Sequence, residues 1–186
     1  MIIGITGTDG AGKGAAVRHL VRTHGFAHYS SRTEIEREVA ARGLTADRDT
    51  LRLVANSLRS EFGNDVLVTR ALERMSERGD VDVVMESIRT LAEAETLRSR
   101  GGILLAIDAD IAKRYRRIVG RNSGTDKVSF EQFKQHEALE MNDPDPNGMQ
   151  KAKVMEAADV TIQNNGSLNG LYGQIDDFLN QYVNEV

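Results

Sequence analysis

Short apolar runs alternate along the chain with longer stretches in which apolar residues recur at helical intervals. The runs predict buried strands over residues 2–6, 26–29, 81–85, 103–107 and 159–163. The periodic stretches predict helices over residues 13–24, 33–42, 49–62, 65–78, 91–100, 110–121, 129–142 and 168–183. This alternation predicts an α/β fold in which helices cover both faces of a mostly parallel sheet. Ligands of such sheets bind at the C-terminal ends of the strands.

Two of these helices carry start signals in the sequence. Thr33 is followed three residues later by Glu36, which is the spacing of a capping box. Asp110 is the predicted N-cap of the basic helix that follows it. Residues 143–148, which contain both prolines of the chain, predict a loop.

Composition narrows the class of protein. The chain has 186 residues, which predicts a single domain, and it has no cysteine, which excludes disulfides and thiol catalysis. Its net charge is −4, so we expect no general attraction to nucleic acid or to an anionic membrane. It shows neither a signal peptide nor an apolar run that could cross a bilayer. We therefore expect a cytoplasmic monomer or homodimer that acts on a small molecule.

The segment after the first strand carries the strongest motif. Residues 7–13 fit G-x-x-x-x-G-K, and they follow a predicted strand and open a predicted helix. Glycines allow successive N–H groups to curl around an anion, and the helix N-terminus adds the positive end of its dipole. The alternative is an ordinary glycine-rich turn, but the lysine at the required position favours a phosphate loop. The predicted contacts to the nucleotide are Gly7, Thr8, Asp9, Gly10, Ala11, Gly12, Lys13, Gly14 and Ala15.

The end of this loop departs from the general pattern. Gly14 and Ala15 stand where a Ser or Thr hydroxyl usually binds magnesium. Magnesium must then be held mainly by the nucleotide, by water and by an acid elsewhere in the chain.

Glu86 is the candidate for that acid. It ends the third predicted strand, where a carboxylate could order magnesium or accept a proton from an attacking hydroxyl. The alternative is a strand-terminal Glu that points to solvent. Arg89 follows three residues later, and its planar cation could bind two oxygens of an acceptor phosphate.

A basic cluster follows the fourth predicted strand. Residues 113–121 contain five cations, of which Arg114, Arg117 and Arg121 are spaced to share one helix face. We expect Arg117 and Arg121 to neutralise the moving phosphoryl group. Together with the polar loop 122–127 they predict a lid that excludes water. The alternative is a solvated basic face.

The acceptor side is less distinct. Candidate acceptor contacts are Asp9, Ser30, Arg37, Arg59, Arg70, Glu86 and Arg89, although a single arginine is more often a surface cation than a ligand. The four histidines, His19, His24, His28 and His136, have no metal-ligand spacing along the sequence, and we assign them no role.

Across its whole length the chain resembles the P-loop nucleoside monophosphate kinases of the adenylate kinase type. It is most similar to their dephospho-coenzyme A kinase-like and deoxynucleoside monophosphate kinase-like branch. The resemblance is carried by residues 7–14, 58–59, 61–63 and 86–89, by Glu93 and Glu95, by Arg114, Arg117 and Arg121, and by Ala158, Asp159, Ile162, Asn164 and Gly166. The family often has Asp at the position of Glu86, and Arg where this chain has Glu36.

The resemblance implies a three-layer P-loop fold with a five-stranded parallel sheet in the order 2-3-1-4-5. It implies ATP as phosphoryl donor, Mg²⁺ as cofactor with Glu86 as its protein ligand, and an adenine held by residues 163–167, including Asn164 and Gly166. It also implies an acceptor-binding helical region over about 30–79 and a small lid over about 114–142, both within one kinase domain.

The expected reaction is transfer of the γ-phosphoryl group of ATP to a nucleoside or deoxynucleoside monophosphate. Dephospho-coenzyme A is the alternative acceptor. A P-loop ATPase or regulatory nucleotide-binding protein without an acceptor is the alternative from another class.

Overall fold

The computed structural model describes residues 1–120, 129–145 and 147–183. Five parallel strands form one sheet in the order β2-β3-β1-β4-β5, which confirms the predicted class and strand order. The strands are β1 (Ile2–Gly7), β2 (Ala27–Ser30), β3 (Val83–Glu86), β4 (Gly102–Asp108) and β5 (Val160–Gln163).

Helices connect the strands. They are α1 (Lys13–His24), α2 (Ser31–Ala41), α3 (Arg48–Phe62), α4 (Val66–Arg78), α5 (Leu91–Ser99), α6 (Ile111–Gly120), α7 (Phe130–Met141), α8 (Lys151–Glu156) and α9 (Leu168–Val183). The sequence did not predict α8, because six residues are too few to show a helical period. In the described part of the chain, no helix is long and apolar enough to cross a membrane.

Alternate side chains of the strands pack against helices on the two faces of the sheet. Ile3 and Ile5 of β1 face α1 and α9, where they join a buried cluster with Leu20 and Ile175. Ile2 lies in the cluster on the other face, which includes residues of α4, α5 and α8. Complete burial of a large aliphatic side chain contributes about 1.5–3 kcal/mol, so these two clusters hold the three layers together.

The start of α2 differs from the sequence-based prediction. The N-cap is Ser30, whose side chain accepts a hydrogen bond from the Arg32 N–H at 3.2 Å. Thr33 lies inside the helix, and Glu36 forms an ion pair with Arg32 at 2.7 Å. The predicted capping box is wrong because β2 passes directly into α2, so the last strand residue is also the cap.

Asp110 does begin its helix as predicted. Its carboxylate accepts hydrogen bonds from the N–H groups of Ala112 at 3.0 Å and Lys113 at 3.2 Å. The next stretch, residues 121–128, contains Arg121 and the polar loop of the predicted lid, and it lies outside the described residues.

Candidate nucleotide-binding site

The predicted phosphate loop connects β1 to α1. Gly7, Gly10 and Gly12 have φ angles of 127°, 80° and 111°, a region that side chains rarely adopt. A Cβ at Gly7 would lie 2.0 Å from the Ile107 carbonyl oxygen. The loop leads directly into α1, so the positive end of the helix dipole faces it. No side-chain cap is seen at this helix start among the described residues. These features fit an anion held by backbone N–H groups.

Two residues from the neighbouring strand ends hold the loop in place. The buried Asn164 donates from Nδ2 to the Ala11 carbonyl at 2.6 Å, and its N–H donates to the Asp108 carbonyl at 2.7 Å. The Thr8 hydroxyl donates to Asp108 Oδ1 at 2.6 Å. Asp108 was not predicted from the sequence, although a carboxylate at the end of β4, next to β1, was a usable signal.

Lys13 folds back onto the loop that precedes it. Its Nζ donates to the carbonyls of Gly7 and Thr8, both at 2.8 Å, and lies 3.3 Å from Asp9 Oδ1. Burial of the ammonium group lowers the pKa of Lys13 to about 8, against the opposing effect of Asp9. Gly14 and Ala15 form the first turn of α1 behind it.

A second lysine reaches the same carboxylate. The buried Lys151, at the start of α8, places Nζ 3.1 Å from Asp9 Oδ1 and also pairs with Glu140. Burial alone would raise the pKa of Asp9, but the charges of Lys151, Lys13 and Arg89 hold it well below its usual value. Asp9 is therefore ionised among three cations. Sequence reasoning missed Lys151 because its contact with the loop spans 142 positions.

Glu86 lies at the end of β3, between Ile5 of β1 and Ser30 of β2 in the sheet register. Its carboxylate Oε1 is 3.6 Å from His28 Nε2, and the interaction with His28 lowers the pKa of Glu86. The side chain is 28% exposed, so it does not simply point to solvent. Ser87 follows with φ 73°, a strained conformation of the kind found at functional sites.

Arg89 is fixed through its backbone. Its N–H donates to Glu93 Oε2 at 2.6 Å, and its carbonyl accepts from the Gln150 N–H at 2.9 Å. The guanidinium contacts the Met149 sulfur at 3.0 Å, which is a weak acceptor. The segment before α8 therefore packs on Arg89, and this segment leads directly to Lys151.

The end of β5 and the basic helix α6 form a shallow, open cleft of about 400 Å³. Arg117 spans one edge: it donates to the Asn164 carbonyl at 2.9 Å and lies 3.4 Å from the carbonyls of Gly10 and Ala11. The cleft is lined by Lys113, Arg116, Arg117, Asn165 and Gly166. The predicted adenine-binding residues and the predicted Arg117 are thus brought together next to the phosphate loop.

Arg114 and Arg117 both contact carbonyls of the phosphate loop, but Arg114 has further partners. It is buried, its Nε donates to the Ala109 carbonyl at 2.7 Å, and its guanidinium forms a paired contact with Glu137 of α7. Its Nη1 also donates to the Asp9 carbonyl at 3.3 Å, so Arg114 joins α6 both to α7 and to the loop. Arg121 lies outside the described residues.

Two of the candidate acceptor cations are paired with carboxylates of α2. Arg37 Nη1 lies 2.5 Å from Glu34, and Arg70 Nη1 lies 3.2 Å from Glu38. Ser30 is buried as the N-cap of the same helix.

Arg59 is buried between α3 and α5. Its Nη2 lies 3.3 Å from Glu93 Oε1, its Nη1 lies 3.4 Å from the Asn147 carbonyl, and its buried Nε has no hydrogen-bond partner among the described residues. The acceptor roles of Arg37, Arg59 and Arg70 stay predictions, but each guanidinium already has a carboxylate partner.

Comparisons with known proteins agree with this fold. The family described as an AAA domain matches residues 3–160. A UPF0200 protein of Methanosarcina acetivorans is 31% identical over 152 residues, which are 80% of this chain and 78% of that protein. The chain belongs to the AAA domain family and to the UPF0200 proteins. Another UPF0200 protein, from Methanocaldococcus jannaschii, is 26% identical over all of this chain and 92% of its own length.

Solved structures share the fold at low sequence identity. The protein TT1252 from Thermus thermophilus has a TM-score of 0.66 at 21% identity and covers 100% of this chain and 97% of its own. Shikimate kinase from Acinetobacter baumannii has a TM-score of 0.58 at 22% identity, with 97% and 93% covered. This UPF0200 chain therefore has a P-loop kinase-like fold.

Proposed function

We propose that this protein is a Mg²⁺- and ATP-dependent kinase that transfers the γ-phosphoryl group to a nucleoside or deoxynucleoside monophosphate. The observation that carries the proposal is the meeting of Asp9 with Lys13, Lys151 and Arg89 beside the phosphate loop. This group has a net positive charge, and none of its residues lines the cleft at Arg117.

The donor side fits ATP. The glycine conformations leave room for phosphate oxygens where side chains would clash, and Lys13 can turn from the loop carbonyls to the outer phosphates. The cleft that includes Asn165 and Gly166 offers main-chain groups to a base, and Arg117 lies between the cleft and the loop.

The site also fits Mg²⁺. Glu86 is partly buried with a lowered pKa, so it presents an ionised oxygen ligand near the loop. When bound with ATP, Mg²⁺ supplies neutralisation of the charge on the β- and γ-phosphates. Gly14 supplies no hydroxyl, so we expect Glu86, phosphate oxygens and water to be the ligands.

The lowered pKa values of the carboxylates in the site favour a phosphate acceptor over a hydroxyl acceptor. In transfer to a monophosphate, an acceptor phosphate oxygen forms a bond to the γ-phosphorus while the bond to the bridging oxygen of ADP breaks. No proton has to leave the acceptor. A hydroxyl acceptor needs a general base, and the lowered pKa values of Asp9 and Glu86 make both carboxylates weak bases. Arg89 and Lys151 would hold the acceptor phosphate.

One observation favours a second candidate, an ATPase or regulatory nucleotide-binding protein. Arg37, Arg59 and Arg70 are paired with carboxylates, so the predicted acceptor region between residues 30 and 79 offers fewer uncommitted cations than its sequence indicated. The missing hydroxyl at Gly14 also favours this second candidate, because weak metal binding is consistent with slow hydrolysis.

An acceptor panel separates these functions. The protein is incubated with Mg-ATP and, in separate wells, nucleoside and deoxynucleoside monophosphates, dephospho-coenzyme A and shikimate, and ADP release is measured. We expect ADP release to depend on a monophosphate. Release only with dephospho-coenzyme A or shikimate would overturn the acceptor class, and release indifferent to every acceptor would support the ATPase.

Lys151 provides a second test of the same site. Replacement by Met should lower the acceptor-dependent kcat/KM by about 100-fold or more, because one charge-stabilising donor is lost. Nucleotide affinity should change little, since the loop and Lys13 remain.

Lys153→Met is the matched control, because Lys153 is an exposed lysine of the same helix. Lys151→Arg keeps the charge and should recover part of the activity. Equal activity of Lys151→Met and Lys153→Met would remove Lys151 from the transfer site.

A further inference from the structure

Two histidines and one aspartate meet on the surface formed by α1 and α9. His19 Nε2 lies 2.6 Å from Asp176 Oδ1, and His24 Nε2 lies 2.8 Å from the same oxygen. One potential ligand atom from each residue lies within 4.8 Å of the others. The two histidines are five positions apart on α1, and Asp176 is more than 150 positions away, so spacing along the sequence did not indicate the cluster.

The cluster is held in place by its neighbours. His19 Nδ1 is 3.2 Å from the Thr23 hydroxyl, and the His19 ring stacks on Tyr172 with centroids 4.3 Å apart and planes 7° apart. The His24 ring meets His19 edge to face at 5.1 Å. An outer hydrogen bond at one ring nitrogen and a ligand at the other is the usual arrangement of a metal-binding histidine.

The helices beneath the cluster are fixed by the core. Leu20 of α1 and Leu171 and Ile175 of α9 are fully or almost fully buried in one apolar cluster. The three ligand side chains are therefore presented by two packed helices. His24 and Asp176 remain open to solvent, with exposures of 29% and 43%, whereas His19 is largely covered, with an exposure of 9%.

We propose that His19, His24 and Asp176 bind one divalent transition-metal ion, with Zn²⁺ as the expected ion. Two imidazoles and a carboxylate form a three-residue ligand set for zinc, and water completes the coordination. Ligands about 2.1 Å from a tetrahedral ion lie about 3.4 Å apart, so small side-chain rotations suffice. The Nδ1–H of His19 then donates to the Thr23 hydroxyl oxygen.

The position of the ion gives it a structural role. α1 begins at Lys13, and α9 follows the segment that contains Asn164 and Gly166. A metal ion at this cluster would therefore join the two helices that flank the nucleotide site. This ion is distinct from the Mg²⁺ expected at Glu86.

The test uses the full chain without a polyhistidine tag, stripped with EDTA and then dialysed. Co²⁺ is titrated and followed by visible absorption, and Zn²⁺ is titrated by calorimetry. We expect one Co²⁺ per chain with the intense d–d bands of four- or five-fold coordination, displaced by one Zn²⁺. The melting temperature should rise with Zn²⁺ concentration.

His24→Ala and Asp176→Asn should each lower Zn²⁺ affinity by at least about tenfold. Asp177→Asn makes the same charge change at the next, exposed position of α9, and His136→Ala removes a histidine of α7; both should bind as the unmodified chain does. The melting temperature without metal shows whether each variant is folded. Absence of saturable binding at one ion per chain would overturn the proposal, as would equal affinity in His24→Ala and the two controls.

Discussion

Lys13 illustrates how burial changes the chemistry of a single side chain. Its ammonium group is enclosed by the carbonyls of Gly7 and Thr8 and by Asp9. The sequence predicted the lysine and its target from the motif alone. It could not predict the pKa of about 8, because that value depends on burial and on Lys151 and Arg89, which come from distant parts of the chain.

Nucleotide affinity should therefore fall as the pH rises above about 8. Lys13 loses its positive charge in this range, whereas the terminal phosphate, with a second pKa of about 6, does not change its own charge. The dissociation constant of a fluorescent ATP analogue, measured from pH 7 to pH 10, checks this. Lys13→Arg keeps its charge and should show a flatter profile; an identical profile would assign the effect to another group.

The same pKa shift has the opposite effect on folding in the absence of nucleotide, because there a rise in pH favours the folded state. The unfolded chain holds the Lys13 proton up to about 10.5, so between about 8 and 10.5 the unfolded state binds more protons than the folded state. The contribution of Lys13 to the free energy of unfolding consequently rises with pH in this window.

At Arg59 the sequence predicted a ligand contact, whereas the structure has a buried ion pair. Arg59 was predicted to bind the acceptor, but its side chain is 3% exposed and faces Glu93, which is 0% exposed. Arg59→Met should lower the free energy of unfolding by about 3–5 kcal/mol, since Glu93 is left as an unpaired buried charge. Urea unfolding measures this, with the exposed Arg52→Met of the same helix as control. Unchanged stability with a raised acceptor KM would instead support the acceptor role.

At the level of elements, sequence motifs and apolar periodicity predicted the helices and strands that are determined by interactions between residues close in sequence. The glycine motif and the apolar stripe placed α1 over residues 13–24, where the structure has it. The errors occur where neighbouring elements share residues: Ser30 ends β2 and caps α2, so the signal at Thr33 was misleading. α8 depends on the contacts of Lys151 and Val154 with the rest of the molecule rather than on its own period.

Two glycines of the phosphate loop element should respond differently to substitution. Gly12→Ala places a Cβ 2.5 Å from Asn164 Nδ2 at a φ of 111°, so it should displace Asn164 and cost about 1–3 kcal/mol of stability as well as nucleotide affinity. Within the described part of the chain, a Cβ at Gly14 would meet only Arg18 Nη1, at 3.6 Å, so Gly14→Ser should keep the fold.

Gly14→Ser also adds the hydroxyl that the loop lacks. We expect ATP to bind this variant at lower Mg²⁺ concentrations than it binds the unmodified chain. ATP affinity measured over a series of Mg²⁺ concentrations tests the effect on metal binding, and melting temperatures test the effect of each glycine substitution on the fold. Loss of folding in Gly14→Ser, or tolerance of Gly12→Ala, would contradict this description of the loop.

For the whole molecule, the alternation of strands and helices was enough to predict the layers, and the family resemblance supplied the strand order. The site was only partly predictable, because it is assembled by contacts over long separations. Thr8 meets Asp108 across 100 positions and Asp9 meets Lys151 across 142. Neither pair has a local period or motif, so only the folded chain reveals them.

Because the nucleotide site joins residues from β1, α1, β4, α6 and the segment after β5, ligand binding should stabilise the whole fold. At an ATP concentration 100 times its dissociation constant, the expected gain is about 2.7 kcal/mol. For a chain of this size that corresponds to a rise in melting temperature of about 5–11 °C. Differential scanning fluorimetry with and without ATP measures the rise. Lys13→Ala should abolish most of it, and a full shift in that variant would place ATP elsewhere.

The direct passage of β2 into α2 at Ser30 has a mechanical consequence. A junction without a loop has few backbone dihedrals free to change, so we expect α2 to move together with the sheet. Any closure of the helices over an acceptor then has to bend at the exposed segment between α2 and α3. A proline at the exposed Thr45 would restrict that bend while leaving the nucleotide end of the protein unchanged.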